Sequence, residues 1–148
     1  MARDQTPLTG GLGKDARLSA FLDTNVLIRH LTGDPPAQAR RATAFLERAD
    51  ELLLPDLIVA EAVYVLESFY ELQRRRVAVL VRAIIAFPAI VVADDPLLLR
   101  ALELYEVARI DFAEAYLIAH AEASGVEKIA SFDRTIDRIT TVRRIEPS

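Results

Sequence analysis

Five carboxylates in this chain stand where a strand should end or a helix should begin. Asp23 closes the apolar run Ala20-Phe21-Leu22, and Thr24-Asn25 then leads into a second apolar run with helical spacing. Glu61 is set into Leu57-Ile58-Val59-Ala60-Glu61-Ala62-Val63, an almost wholly apolar stretch. A glutamate in such a setting is seldom buried unless it is paired or bound to metal. Asp111 and Glu114 open a late helix, and Asp133 follows a late strand. Carboxylates converging within a few ångströms repel one another, so a cluster of them needs cations. Oxygen-only donors favour hard divalent ions, Mg²⁺ or Mn²⁺, and Mg²⁺ typically bridges carboxylates to a phosphate. One or two such ions can activate water and stabilise the oxyanions of an in-line phosphodiester displacement.

Each acid also has a purely structural reading. Asp23 or Thr24 could cap the helix that follows. Glu61 could lie on a narrow solvent-facing stripe with Glu67 or Gln73. Asp111-x-x-Glu114 before an apolar run has the form of a capping box, and Asp133 could be another N-cap. Taken together, these readings require four separate coincidences at one end of one sheet. His30 and His120 lack partners at ligand spacing and there is no Cys, so neither a zinc nor a thiolate site is expected. No Gly-rich phosphate loop and no nucleophile elbow is present.

The elements that must position these acids alternate between strand and helix. Strands are expected at about Leu18 to Leu22, Leu52 to Leu54, Ile90 to Val92 and Lys128 to Ser131, with a small closing strand at Val142 to Ile145. Helices are expected from Thr24 or Asn25 to about His30 or Leu31, Ala37 to Ala49, Asp56 to Tyr70, Gln73 to Phe87, Leu97 to Val107 and Asp111 to Ser124. Gly33 and Gly125 are placed to end helices, and Asp94-Asp95-Pro96 to start one. The strands are apolar without period-two alternation, as in a parallel sheet covered on both faces. Ligands of open α/β sheets bind just outside the carboxyl ends of the strands, which is where Asp23 falls.

The length of 148 residues suits one domain with a sizeable core. Met1 to Arg17, with Pro7 and three glycines, reads as a flexible leader outside a domain spanning 18–148, and it lacks the apolar core of a signal peptide. With 52% hydrophobic and 27% charged residues the composition is globular, and no apolar run approaches the ~20 residues that span a bilayer. The absence of Cys is compatible with a reducing cytoplasm, and a cytoplasmic location is expected. A net charge of −4 gives no global basic field, although all basic residues except Lys14 and Lys128 are arginine.

Four segments together carry a family likeness. Phe21-Leu22-Asp23-Thr24-Asn25-Val26-Leu27-Ile28-Arg29 resembles the opening motif of PIN-domain proteins, and closely that of VapC-like toxins of toxin–antitoxin pairs. Ala60-Glu61-Ala62-Val63-Tyr64-Val65-Leu66 resembles the second motif, Ile110-Asp111-Phe112-Ala113-Glu114-Ala115-Tyr116-Leu117-Ile118-Ala119 the third and Ser131-Phe132-Asp133-Arg134 the fourth. The likeness runs from about Leu18 to Pro147 with the motifs in order. It implies a three-layer α/β/α sandwich with a Rossmann-like, mainly parallel sheet. It also implies an Mg²⁺- or Mn²⁺-dependent ribonuclease acting on single-stranded RNA, a homodimer and, in toxin members, inhibition by a small antitoxin protein. No membrane partner is implied.

By this resemblance Asp23, Glu61 and either Asp111 or Glu114 hold a metal, while Asp133 completes the cluster or orients water. Asn25 and Ser131 hydrogen-bond these carboxylates, and Arg29, Arg134 and Arg138 hold RNA. The family usually places Asp where Glu114 stands. Either Glu114 serves with a longer arm or Asp111 takes over, and a shift of about 1 Å on that scale can lower a rate. Two alternatives stand beside the nuclease. One is a metal- and RNA-binding module with little turnover, and the other is a protein–protein interaction domain whose acids are caps and surface groups.

Overall fold

The structure, a computed structural model, describes residues 17–148. The expected leader therefore lies outside the described residues except at its last position, where Arg17 pairs with Glu51 at 3.1 Å. Strand β1 (Ser19–Phe21) pairs in parallel with β2 (Glu51–Leu53), and β2 pairs in parallel with β3 (Ile90–Val91) on its other side. The register sets Phe21 beside Leu53 and Leu53 beside Val91, so these three strands end level. Strands β4 (Lys128–Ala130) and β5 (Arg143–Ile145) form a second parallel pair. The parallel sheet thus comes in two pieces, built from ladders of only two or three residue pairs.

Helices α1 (Thr24–Thr32), α2 (Pro36–Arg48), α3 (Asp56–Ser68), α4 (Arg74–Ile85), α5 (Asp95–Val107) and α6 (Phe112–Ser124) connect the strands and complete the α/β/α arrangement. Their ends follow the local chemistry. Gly33 and Gly125 close α1 and α6 at φ 72° and 75°, a left-handed conformation that glycine adopts without steric cost. The Asp94 carboxylate accepts from the Leu97 amide at 3.0 Å and caps α5. Helix α1 packs on α2 and α3, α4 on α3 and α5, and α5 most extensively on α6.

The core runs through Leu46, Leu52, Leu66, Leu98, Leu102, Tyr105 and Ile118, all fully buried. Burying a leucine-sized side chain contributes roughly 1.5–3 kcal/mol each. The strands are less completely covered than their apolar runs suggest. Leu52 and Ile129 are buried, whereas Phe21, Val91 and Ile145 stay 74%, 42% and 43% exposed. On α4 the apolar residues Val77, Ala78, Val81 and Ile84 go into the core, while α3 leaves Leu57 and Tyr64 outside.

Candidate metal centre

Asp23 is placed by the end of a ladder. The Leu22 amide still bonds the Leu53 carbonyl at 2.9 Å, and the next residue leaves the sheet to start α1. Its backbone serves as the N-cap, with φ −89°, ψ 156° and its carbonyl accepting from the Leu27 amide. Its side chain makes no capping hydrogen bond and is exposed. The cap reading therefore accounts for the backbone of Asp23 and leaves the carboxylate unused.

Thr24 is the link to the second acid. Only 8% exposed, it donates its hydroxyl to Glu61 Oε2 at 2.6 Å and ties the first turn of α1 to α3. Glu61 itself is exposed, contrary to what its apolar neighbours suggest. A helix places residues three and four apart on one face, and here Leu57, Glu61 and Tyr64 all face outward. Its stripe is thus shared with Leu57 and Tyr64. Glu67 turns elsewhere and accepts from the Tyr105 hydroxyl.

Glu114 and Asp133 make a second pair. The capping box does not form, since Asp111 at the start of α6 makes no side-chain cap bond and Glu114 turns to Asp133 and Thr135. Burial, and then its hydrogen bond to Asp133, raises the Glu114 carboxyl above the usual range. The same bond, with those from Thr135, lowers Asp133 to about 2, and the more distant Arg138 adds to the effect. The two carboxyls are thus pushed in opposite directions, Glu114 up and Asp133 down. The Asp133 loop is built locally: its amide donates to Ser131 Oγ at 3.0 Å, and its carboxylate caps the 3-10 turn Arg134–Arg138 through the Thr135 amide at 2.9 Å. For Asp133 the cap reading holds, alongside its contact with Glu114.

Asp111 is held by a cation. Arg74 donates to its Oδ1 at 3.1 Å and to the carbonyls of Tyr105 and Ile110 at 3.2 and 2.8 Å. The same guanidinium lies 4.8 Å from the Tyr105 ring centroid. The loop it fastens contains Arg109 at φ 56°, a left-handed conformation that a side chain disfavours. Of the two residues left open as third acid, Glu114 is the one brought against Asp133.

Glu114 thus pairs with Asp133, while Glu61 is tied by Thr24 to the helix start that follows Asp23. Among the described residues no three His, Asp or Glu side chains are gathered at metal-holding distance. Asn25 does not reach the carboxylates and lines a cleft between α1 and α2. Ser131 supports Asp133 through its amide and not its carboxylate. Arg29 bonds Gln38 at 2.9 Å, Arg134 is exposed, and Arg138 approaches the Ala108 carbonyl at 3.5 Å. Sequence reasoning gave Thr24 only a capping role, and it did not see the contacts of Thr135 with Glu114 or of Arg74 with Asp111. The two threonines stand one and two residues after an acid at a helix start, where a hydroxyl reads as a cap, and Arg74 lies in a run of three arginines whose other two are exposed.

A family model described as PIN domain matches residues 20–142. A curated relative from Aquifex aeolicus (strain VF5), named VapC ribonuclease, is 26% identical over 122 residues, covering 80% of this chain and 90% of the relative. Among solved structures, a chain of the crystal structure of VapBC2 from Rickettsia felis bound to a DNA fragment from their promoter matches with a TM-score of 0.36. It is 12% identical, and the match covers 86% of this chain and 98% of that one.

Proposed function

The chain belongs to the PIN-domain family, and on that premise we propose that it is a divalent-metal-dependent ribonuclease cleaving single-stranded RNA, the toxin of a toxin–antitoxin pair. The observation that carries the reading is the Asp23 carboxylate, exposed at the end of β1 and free of the capping bond its position offers. The likeness to a VapC ribonuclease supports it.

The residues suit a hard cation. Every donor is an oxygen, and the Glu114 and Asp133 carboxylates lie against one another, a repulsion that a divalent ion relieves. Asp23, Glu61, Glu114 and Asp133 would hold Mg²⁺ or Mn²⁺, with Asp111 beside them on Arg74. When bound, the metal supplies an activated water and charge neutralisation at the scissile phosphate. Thr24 fixes the orientation of the Glu61 carboxylate, and Thr135 does the same for Glu114 and Asp133. Arg138, already within electrostatic reach of Asp133, and Arg134 beside it hold the RNA backbone.

The exposed apolar residues Leu57, Tyr64 and Phe69, which are 78%, 68% and 75% exposed, supply a surface for a second copy of the chain. A small antitoxin completes the set of partners, and the cytoplasm is the compartment. Among the described residues no helix is long and apolar enough to cross a membrane. A second reading, metal and RNA binding with little turnover, draws on Glu114, whose longer arm stands where the family usually has Asp.

Fluorescent single-stranded RNA incubated with Mg²⁺, Mn²⁺ or EDTA tests the proposal, with Asp23→Asn beside the wild type. Cleavage that needs metal and vanishes in the variant is the expected result. Stabilisation by Mn²⁺ without cleavage selects the binding module, and no response to either metal overturns both readings.

A further inference from the structure

Between α1 and α2 runs a cleft of about 560 Å³ whose walls include Arg29, Arg41 and Arg48 and, among the described residues, no acidic side chain. On α2 the spacing of Gln38, Arg41, Phe45 and Arg48 places them on one face, and Asn25 and Arg29 answer them from α1. From Gln38 to Arg48 the helix advances about 15 Å, at about 1.5 Å per residue. The Arg48 guanidinium lies over the Phe45 ring at 5.6 Å, and Arg41 is exposed.

This concentration is local, since the chain as a whole carries an excess of acid. The chain carries a net charge of −4, and Arg17, Arg74, Arg82, Arg100 and Arg144 each pair with a carboxylate. None of the three groove arginines is in an ion pair among the described residues. Three arginine forks lining one cleft with no carboxylate opposite suit an anion, and arginine is well matched to phosphate. The groove also leads to the candidate metal centre, because Asn25 in its wall is two residues from Asp23.

We propose that the α1–α2 groove is the path of the single-stranded RNA toward Asp23. Arg29 and Arg41 take phosphates, and Arg48 braced on Phe45 is the platform against which a base stacks. Guanidinium and aromatic planes serve stacking without base preference, and arginine forks fit phosphate oxygens. This path rests on the ribonuclease reading and adds, to the contacts of Arg134 and Arg138, the stretch over which the substrate of that activity approaches Asp23.

The test is binding of a labelled single-stranded RNA of mixed sequence to the full chain in EDTA. Fluorescence anisotropy is read across a salt series, with Asp23→Asn as the parent so that no strand is cut. Arg41→Glu with Arg48→Glu should weaken binding about tenfold or more. It should also flatten the slope of log affinity against log salt by about 0.7 for each phosphate no longer held. Both side chains are exposed, so the circular dichroism spectrum should be unchanged, and Arg41→Ala alone is the milder variant should the double one unfold. Affinity and slope equal to the parent overturn the assignment. So does retained RNA binding together with lost binding of a polyglutamate peptide, which makes the groove a docking site for an acidic protein. Cleavage by the otherwise wild-type chain separates this from the parent reading. Weakened binding in a chain that cuts nothing removes the nuclease and keeps the groove, whereas full cleavage by the groove variants removes the groove and keeps the nuclease.

Discussion

Glu114 and Glu122 are carried by one helix, α6, yet their surroundings push them in opposite directions. Glu122 accepts two N–H groups of Arg100 at 2.9 and 3.0 Å and the Thr141 hydroxyl at 2.8 Å. Arg100 lowers its carboxyl below the usual range. Glu114 meets another carboxylate and is raised, by burial first and then by that neighbour. The contrast extends to the regions around them. Elsewhere Glu106 is gripped by Arg82, and even in the turn after Asp133 the neighbouring Asp137 is gripped by Arg144. At the end of the sheet the Asp23 side chain caps nothing, Glu61 is met by a threonine, and Asp133 is reached by Arg138 only at a distance. Acids that hold the fold together are given arginines; at the candidate centre Asp111 has Arg74, while Asp23, Glu61, Glu114 and Asp133 form no ion pair among the described residues. The deficit is what marks the site.

Ways to break this contrast follow in order of effect. The largest is Asp23→Asn, which removes one uncompensated charge. Cleavage should fall to background while the melting temperature in EDTA stays equal or rises, since the side chain does not cap its helix. A melting temperature several degrees lower would return Asp23 to a purely structural role. Thr24→Val comes next. It keeps the buried volume and deletes the hydroxyl on Glu61, so Mn²⁺ affinity read by thermal shift should drop about 10–100-fold. Unchanged affinity would show that Glu61 stands outside the metal shell.

Glu122→Ala should cost about 1–2 kcal/mol, because Arg100 loses a charge-assisted partner. That is about 2–8 °C in a thermal melt of a domain this size. The Mn²⁺ response should be untouched, and a changed response would couple the two regions. The smallest effect is in acid. The folded-state carboxyl of Glu122 titrates below its unfolded value, so its stabilisation is fully present above the ordinary glutamate range and disappears as the pH falls through the folded value. Melts of wild type and Glu122→Ala should therefore differ at neutral pH and converge in strong acid, and parallel curves throughout would contradict the ion pair.

The α/β class, the helix ends at Gly33 and Gly125 and the motif acids were legible because each is written locally, in period, in punctuation or in a motif. Pairing was not. Whether Asp111 or Glu114 meets Asp133 depends on Arg74, which lies 37 residues before Asp111 and is drawn there by two backbone carbonyls as much as by charge. Glu61 misled for a related reason. A one-dimensional run of apolar neighbours does not tell which of them face out, and Leu57 and Tyr64 do. The division of the sheet was hidden as well, since strands of two or three residues carry no periodic signal long enough to show who pairs with whom.

Arg74 has one more implication, for which exchanges the chain tolerates. Its planar fork reaches two carbonyls and a carboxylate while lying against the Tyr105 ring, which a lysine ammonium, a compact point charge, does not reproduce. Arginine to lysine, the mildest substitution by charge, is therefore a severe one at this corner, whereas at the exposed neighbours Arg75 and Arg76 it is nearly silent. Three identical letters in a row carry unequal tolerances, set by what each guanidinium touches.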